Sequence, residues 1–345
     1  MNLEQAPFKV VAGQLPESVG ADMVAAFAEI SALPDRTRAV FGTLMDMLGV
    51  KPSHPVHAAG ARLATDIDCG GGGGHPHPYH NTRHFCEVML SSHYIAQLQK
   101  LHVEACAEVV LAALMHDYGH DVRPDGVPFR LERQSVTMAF EAFGDEPFSP
   151  GQRQRIAALV LSTAVARGHP VAIACNVGHE THNGWPAIPS EAPELAVLVS
   201  DPLAARQALV LCEADVLPSV GLTFGHALKM QAELSAEWDT QLDARDKLRF
   251  IDDWFKRSTM SVYFKPNVEA LRHGLWQQLK REASAARPAA EPAAKPVAAP
   301  KLLPGTKAAD DSKADAPVAA LPAPPGERSS RLLMLGSPRA ATDGR

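Results

Sequence analysis

Apolar residues recur at helical spacing along most of the chain. Helices are predicted around 18–32, 35–49 and 55–66, and in the second Val40, Leu44, Met47 and Leu48 fall near one face. The stretch "VEACAEVVLAALMHD" sets Val103, Cys106, Ala107, Val110, Leu111 and Leu114 on one face, and "HALKMQAELSAEW" repeats the pattern with Ala227, Met230, Leu234 and Trp238. Alternating apolar and polar runs are scarce and β-branched clusters are short. The expected fold is all-α, a compact multi-helix domain from about 18 to 282. The Met and Trp residues of 228–276 read as core.

Two interruptions divide the chain. Five glycines at Gly70–Gly74 maximise backbone freedom, so they read as a flexible connection. From about Ala283 the sequence turns Ala/Pro-rich and lacks large apolar groups to offset ordering entropy, so 283–345 reads as a disordered tail. Its end, "SSRLLMLGSPR", offers a short docking motif whose partner the sequence does not name, with a bland terminus as the plainer reading. The expected organisation is an N-terminal helical part over 1–74, a main domain over 75–282 and the tail.

Composition narrows the function. Hydrophobic residues make up 46%, enough for a packed globule, and a formal net charge of −6 argues against a nucleic-acid partner. No apolar run is long enough to predict a membrane span, and the N-terminus has no secretory pattern. The five cysteines are odd in number, widely spaced and without a C-x-x-C, which fits reduced thiols in the cytoplasm and neither disulfides nor a thiolate zinc site.

Chemistry-bearing residues gather at three places. "CGGGGGHPHPYHNTRH" packs histidines behind the glycines, with His80 and His84 four apart, so that a helix beginning there would show both rings on one face. His116 and Asp117 are adjacent at the end of a strongly apolar helix, and His120 follows. Asp215 falls near the end of another apolar segment, just before Pro218. Imidazole and carboxylate without thiolate suit a catalytic metal site with open positions more than a structural one. Two metals sharing a carboxylate would clamp a phosphate. Each piece alone has a bland reading: a chance "HD" pair, a chance "HxxxH", an Asp serving as a turn or cap residue. His75 and His77, on the Gly/Pro-rich lead-in, read as surface residues, and His169, His179 and His182 as a polar loop bordering the site.

Order and spacing together carry a resemblance. "PYHNTRHFCEVMLSSHYIAQL" resembles the Y-H-N-x-x-H-x-x-D-V signature of class I cyclic-nucleotide phosphodiesterases, within the HD phosphohydrolase superfamily. "AEVVLAALMHDYGH" is similar to that family's apolar helix ending in H-D-x-x-H. "RLERQSVTMAFEAF" and "LCEADVLPS" resemble its later motifs, and the likeness spans about 79–276. The resemblance implies that His84, His116, Asp117 and Asp215 bind a first, zinc-like ion. Asp117 would bridge to a second, magnesium or manganese, held otherwise by waters. It implies His80 as general acid, His120 and Glu132 as holders of metal-bound waters, and Glu237 as the group orienting His80, where the plain alternative is a solvated helix face. Tyr79, Phe264 and Asn267 would border a small-molecule nucleotide substrate; a homodimer is compatible with the family.

The chain departs from the pattern in several places. "HDVRPDG" replaces the usual continuation of H-D-x-x-H, and Ala164 stands where an aspartate is expected. Aligning "RHGLW" with the family's H-P-L-W puts the purine-reading glutamine on Phe264 and the base-clamping phenylalanine on Asn267, with Ser258, Ser261 and Asn267 as nearby polar alternatives. The expected activity is hydrolysis of 3′,5′-cyclic nucleotides to 5′-monophosphates in signal transduction. The alternatives are another HD-superfamily phosphohydrolase, a di-iron oxygenase, or an inactive binding module.

Overall fold

The structure is a computed structural model describing residues 8–72, 77–119, 121–122, 126–144, 147–255 and 263–285. His75, His120, Ser258, Ser261 and the tail beyond 285 lie outside these residues. Among the described residues there are thirteen α-helices and no strand. They are α1 (Pro16–Ser31), α2 (Arg36–Leu48), α3 (Pro55–Asp68), α4 (Thr82–Leu98), α5 (Val103–Met115), α6 (Arg130–Phe143) and α7 (Pro150–Ser162). A second set follows: α8 (Gly168–Thr181), α9 (Val197–Ser200), α10 (Pro202–Val220), α11 (Phe224–Glu237), α12 (Ala244–Phe255) and α13 (Lys265–Ala285). No single described helix is long and apolar enough to cross a membrane.

Local sequence sets the helix ends. The Asn81 side chain accepts hydrogen bonds from the Arg83 and His84 amides and starts α4. Ser149 and Gln152 form a capping box at α7 with Pro150 in the first turn, and Asp201 caps α10 ahead of Pro202. Gly49 ends α2 with φ 70°, a conformation that favours glycine.

At the centre α4, α5 and α10 pack on one another. From Ala105 to Met115 every residue of α5 is buried, whereas Val103 is exposed. The single apolar face expected for this helix is therefore corrected: α5 is enclosed on all sides, as an all-round apolar helix must be. Helices α1–α3 share this core, Phe8, Phe27, Phe41 and Leu63 packing into the same cluster as Leu111 and Leu211. A smaller cluster joins α12 and α13 to the end of α10 through Val220, Ile251, Trp254 and Leu271. Met230 and Trp254 are core as expected, but Trp276 is half exposed on the outer face of α13.

The glycine run is less free than its composition predicts at its start. The Gly72 carbonyl accepts the Gly119 amide at 2.7 Å, and Tyr118 donates to Asp66 Oδ2 at 2.6 Å. Gly72 has φ 48° and lies so close to the Tyr118 ring that a Cβ would clash. These contacts tie the end of α3 to the turn that follows α5.

Candidate metal centre and adjoining cavity

His84 lies on the third helical residue of α4, where the Asn81 cap fixes the first turn. His80 precedes the cap, outside the helix, so the two rings are not helical i,i+4 neighbours. They still meet edge to face, centroids 5.7 Å apart, because the chain turns back at Asn81, whose amide holds the carbonyls of His77 and Pro78. Adjacent residues in a continued helix would diverge by about 100°. Helix α5 stops at Met115, and the turn closed by the Tyr118 amide on the Met115 carbonyl brings His116 and Asp117 to one point. Asp215 comes from within α10, which continues past Pro218 to Val220 instead of ending there.

His84, His116 and Asp117 bring three ligand atoms within 4.8 Å of one another, and Asp215 approaches the two rings from α10. Asp117 Oδ2 lies 3.0 Å from His116 Nε2 and 3.4 Å from His84 Nε2. Asp215 Oδ1 lies 3.3 Å from His84 Nε2 and 3.5 Å from His116 Nε2, and the two ring nitrogens are 3.3 Å apart. Ligands about 2.1 Å from a tetrahedral ion sit about 3.4 Å from one another. The His116 Nδ1–H donates to the Ala113 carbonyl at 2.7 Å, so Nε2 is the atom left to face the cluster. The donor set therefore fits a divalent cation.

Electrostatics agree. Burial lowers the His84 pKa, but Asp117 and Asp215 outweigh it and raise the ring to about 9. The same balance holds His116 well above its ordinary value. Burial opposes ionisation of Asp117 and Asp215, yet the facing imidazoles hold both carboxyls below the usual carboxylate range. Glu132, in the first turn of α6, is pushed up to about 7 by burial and by the nearby charges of Asp117 and Asp215.

Glu237, at the last turn of α11, bonds His80 Nδ1 through Oε1, and its Oε2 accepts the backbone amides of Tyr79 and His80 at 2.9 Å each. Burial would raise its carboxyl; the bond from His80 holds it down at about 2. The ring is thus backed by a carboxylate, and its Nε2 lies 3.9 Å from Asp117 Oδ2. The solvated-face alternative for Glu237 does not describe this geometry.

Some of this apparatus had no sequence signal. Arg83 bonds both Glu233 oxygens at 2.8 and 2.5 Å and reaches Glu87 Oε1 at 3.2 Å. Glu233 is one turn from Glu237, so this pair docks the helix that holds His80. Arg83→Met should lower stability by up to about 3 kcal/mol, since breaking one side of a buried pair strands the other charge. Urea denaturation of the variant measures it. The partners are 150 residues apart, and no local spacing links them.

A cavity of about 270 Å³ opens beside the cluster, bordered by Tyr79, His80 and Asp215 and closed by residues of α10, α11 and α12. The Tyr79 hydroxyl is 3.0 Å from Ser219 Oγ. Phe264 and Asn267 do not line this cavity. Phe264 is buried against Tyr94, and Asn267 donates to the Pro16 and Gly221 carbonyls, tying α13 to α1 and the end of α10. The expected polar loop is also corrected: His169 and His179 lie on α8, His169 buried and stacked on Trp254, with His182 at that helix's end. Ala164 lies just beyond the Thr163 cap of α7, its carbonyl accepting the Arg167 and Gly168 amides.

No known family matches the sequence, and no curated protein matches it. The fold does have solved relatives. The phosphodiesterase domain of the RhoPDE fusion protein from the choanoflagellate Salpingoeca rosetta aligns over 81% of this chain and 96% of its own, with a TM-score of 0.52 and 13% identity. The phosphodiesterase domain of the rhodopsin phosphodiesterase from Salpingoeca rosetta aligns over 77% and 90%, at 0.54 and 14%. LmjPDEB1, solved in complex with IBMX, aligns over 74% and 91%, at 0.54 and 16%. The chain has a phosphodiesterase-domain fold. The motif resemblance over 79–276 and this fold agree, and within the phosphodiesterase fold His84, His116 and Asp117 meet at one point, approached by Asp215.

Proposed function

We propose that the chain is a metal-dependent phosphodiesterase that hydrolyses 3′,5′-cyclic nucleotides to 5′-monophosphates. The observation that carries this reading is a His84, His116 and Asp117 cradle, approached by Asp215, directly beside an imidazole backed by a carboxylate. Zinc suits the nitrogen and oxygen donors of His84, His116, Asp117 and Asp215, and magnesium or manganese suits a second position that Asp117 would share. Such ions supply a nucleophile at neutral pH and neutralise charge on the phosphate.

The chain's own groups do the rest. Glu237 fixes the His80 ring through Nδ1, so that Nε2 is the atom placed to hand a proton to a departing sugar oxygen. A cyclic diester has an alkoxide leaving group, and this is the group that needs a positioned acid. Glu132, buried near the carboxylates, is placed to hydrogen-bond water at the cluster. The net charge of −6 favours a small-molecule substrate over nucleic acid.

The test is a substrate panel on metal-quantified protein: cyclic AMP, cyclic GMP, a 5′-mononucleotide and bis(4-nitrophenyl) phosphate. The expected result is release of 5′-monophosphate from a cyclic nucleotide, dependent on Mn²⁺ or Mg²⁺ and abolished by chelation. Full metal loading with no diester hydrolysis would overturn the reading, as would two irons per chain with oxygenase activity.

A further inference from the structure

Helix α11 carries the carboxylate that backs His80, but apolar packing secures only its first half. His226, Ala227 and Met230 are its buried residues, all within the first two turns. In the last turn neither Leu234 nor Ala236 is buried. Gln231 donates to the Leu242 carbonyl and Ser235 Oγ accepts the Leu242 amide, which ties α11 to the loop that follows it and not to the cradle.

Arg83, on α4, reaches the second half from the metal-binding helix. Its Nη1 and Nη2 donate to the two Glu233 oxygens at 2.8 and 2.5 Å, and its Nε lies 3.2 Å from Glu87 Oε1. Glu87 is wholly buried, and His226 Nε2 lies 3.7 Å from the same oxygen. The guanidinium thus meets two carboxylates with its planar fork, which fixes Glu233 in orientation as well as in distance. An ammonium is a point charge and cannot reproduce that grip. Arg83 precedes His84 by one residue, so it stands in the turn of α4 that supplies a cradle ligand. Glu233 precedes Glu237 by four, so the two carboxylates share one face of α11. Glu237 in turn holds His80 Nδ1 through Oε1 and the Tyr79 and His80 amides through Oε2.

We propose that Arg83 is a positioning residue for the proton donor. By fixing Glu233 it holds Glu237, and through Glu237 the His80 ring, in register with His84 and the rest of the cradle. The inference rests on the phosphodiesterase reading, in which His80 is the acid.

Two variants of the full, metal-loaded chain test it. Arg83→Lys keeps the charge and loses the fork, and Glu233→Gln keeps the volume and weakens the grip from the other side. Each should keep its metal and lose about tenfold or more in turnover of a cyclic nucleotide, since misplacing a reacting group by about 1 Å costs up to about 100-fold. Turnover of bis(4-nitrophenyl) phosphate, whose leaving group needs little protonation, should fall by less than about threefold. In a His80→Ala background neither substitution should lower cyclic-nucleotide turnover further, because the group it positions is gone. Amide hydrogen exchange reads the same contact without activity. The Tyr79 and His80 amides should lose about tenfold in protection, while those of α5 stay as in wild type. A role confined to stability would slow both diesters alike and speed exchange in α5 as well. Equal losses on both substrates, full additivity with His80→Ala, or unchanged protection of Tyr79 and His80 in both variants overturns the proposal. Failure of the phosphodiesterase reading would show differently, as a wild type that turns over neither cyclic nucleotide while the exchange pattern persists.

Discussion

Asp117→Asn should leave a folded protein that neither retains metal nor turns over substrate. Asp117 Oδ2 is the atom that approaches both ring nitrogens, at 3.0 and 3.4 Å, and the amide removes the charge that draws a cation there. Affinity for the ion should fall by more than about 100-fold, beyond the 10- to 100-fold typical of groups that only support a ligand. Metal analysis after gel filtration checks this, and activity should fall to background with it. Retention of two ions by the variant would sink the assignment of Asp117.

The same carboxylates give the chelated protein a signed pH dependence. His84 titrates near 9 in the folded chain, above its ordinary value of 6.5. Its protonated pairing with Asp117 and Asp215 therefore contributes stability that is full below about 6.5 and is lost as pH rises through about 9. Asp117 and Asp215, held below 3.8, contribute stability that persists to high pH and is lost only in acid. Metal-stripped wild type should melt at a lower temperature at pH 9.5 than at pH 6.5. In Asp117→Asn this difference should shrink, because His84 loses one of its two carboxylate partners.

How far the sequence disclosed this centre differs from residue to residue. The apolar helix behind His116 was legible because hydrophobic residues dominate it, but its burial on every side was not, since one face of a pattern cannot say what covers the other. The spacing of His80 and His84 pointed to two rings that do meet, but through a helix that His80 does not join. What unites them is the Asn81 cap, which turns the chain between them. Glu237 was reachable only through family resemblance, because its bond to His80 spans 157 residues. Asn267 carries a role that no local pattern announced, its amide tying α13 to the Pro16 and Gly221 carbonyls.

His80→Ala should retain its metal and lose about 10²- to 10⁴-fold in turnover of a cyclic nucleotide, the usual worth of a positioned general acid. His80 is not among the ligand atoms that group together at His84, His116 and Asp117, its Nε2 lying 3.9 Å from Asp117 Oδ2, so removing it leaves that cradle intact. Glu237→Gln should fall between this variant and wild type. The amide can still accept the backbone N–H groups of Tyr79 and His80, but it no longer sets a carboxylate charge behind the ring. The choice of substrate separates proton donation from simple disruption. Bis(4-nitrophenyl) phosphate expels a nitrophenolate, which leaves as a stable anion and needs little protonation. If His80 is the acid, His80→Ala should lose far less on this diester than on a cyclic nucleotide, and Glu237→Gln should follow the same order. Equal losses on both substrates would mean that His80 shapes the site without supplying the proton. Its carboxylate-backed Nδ1 would then serve to anchor the turn before α4, and the leaving oxygen would have to draw its proton from water.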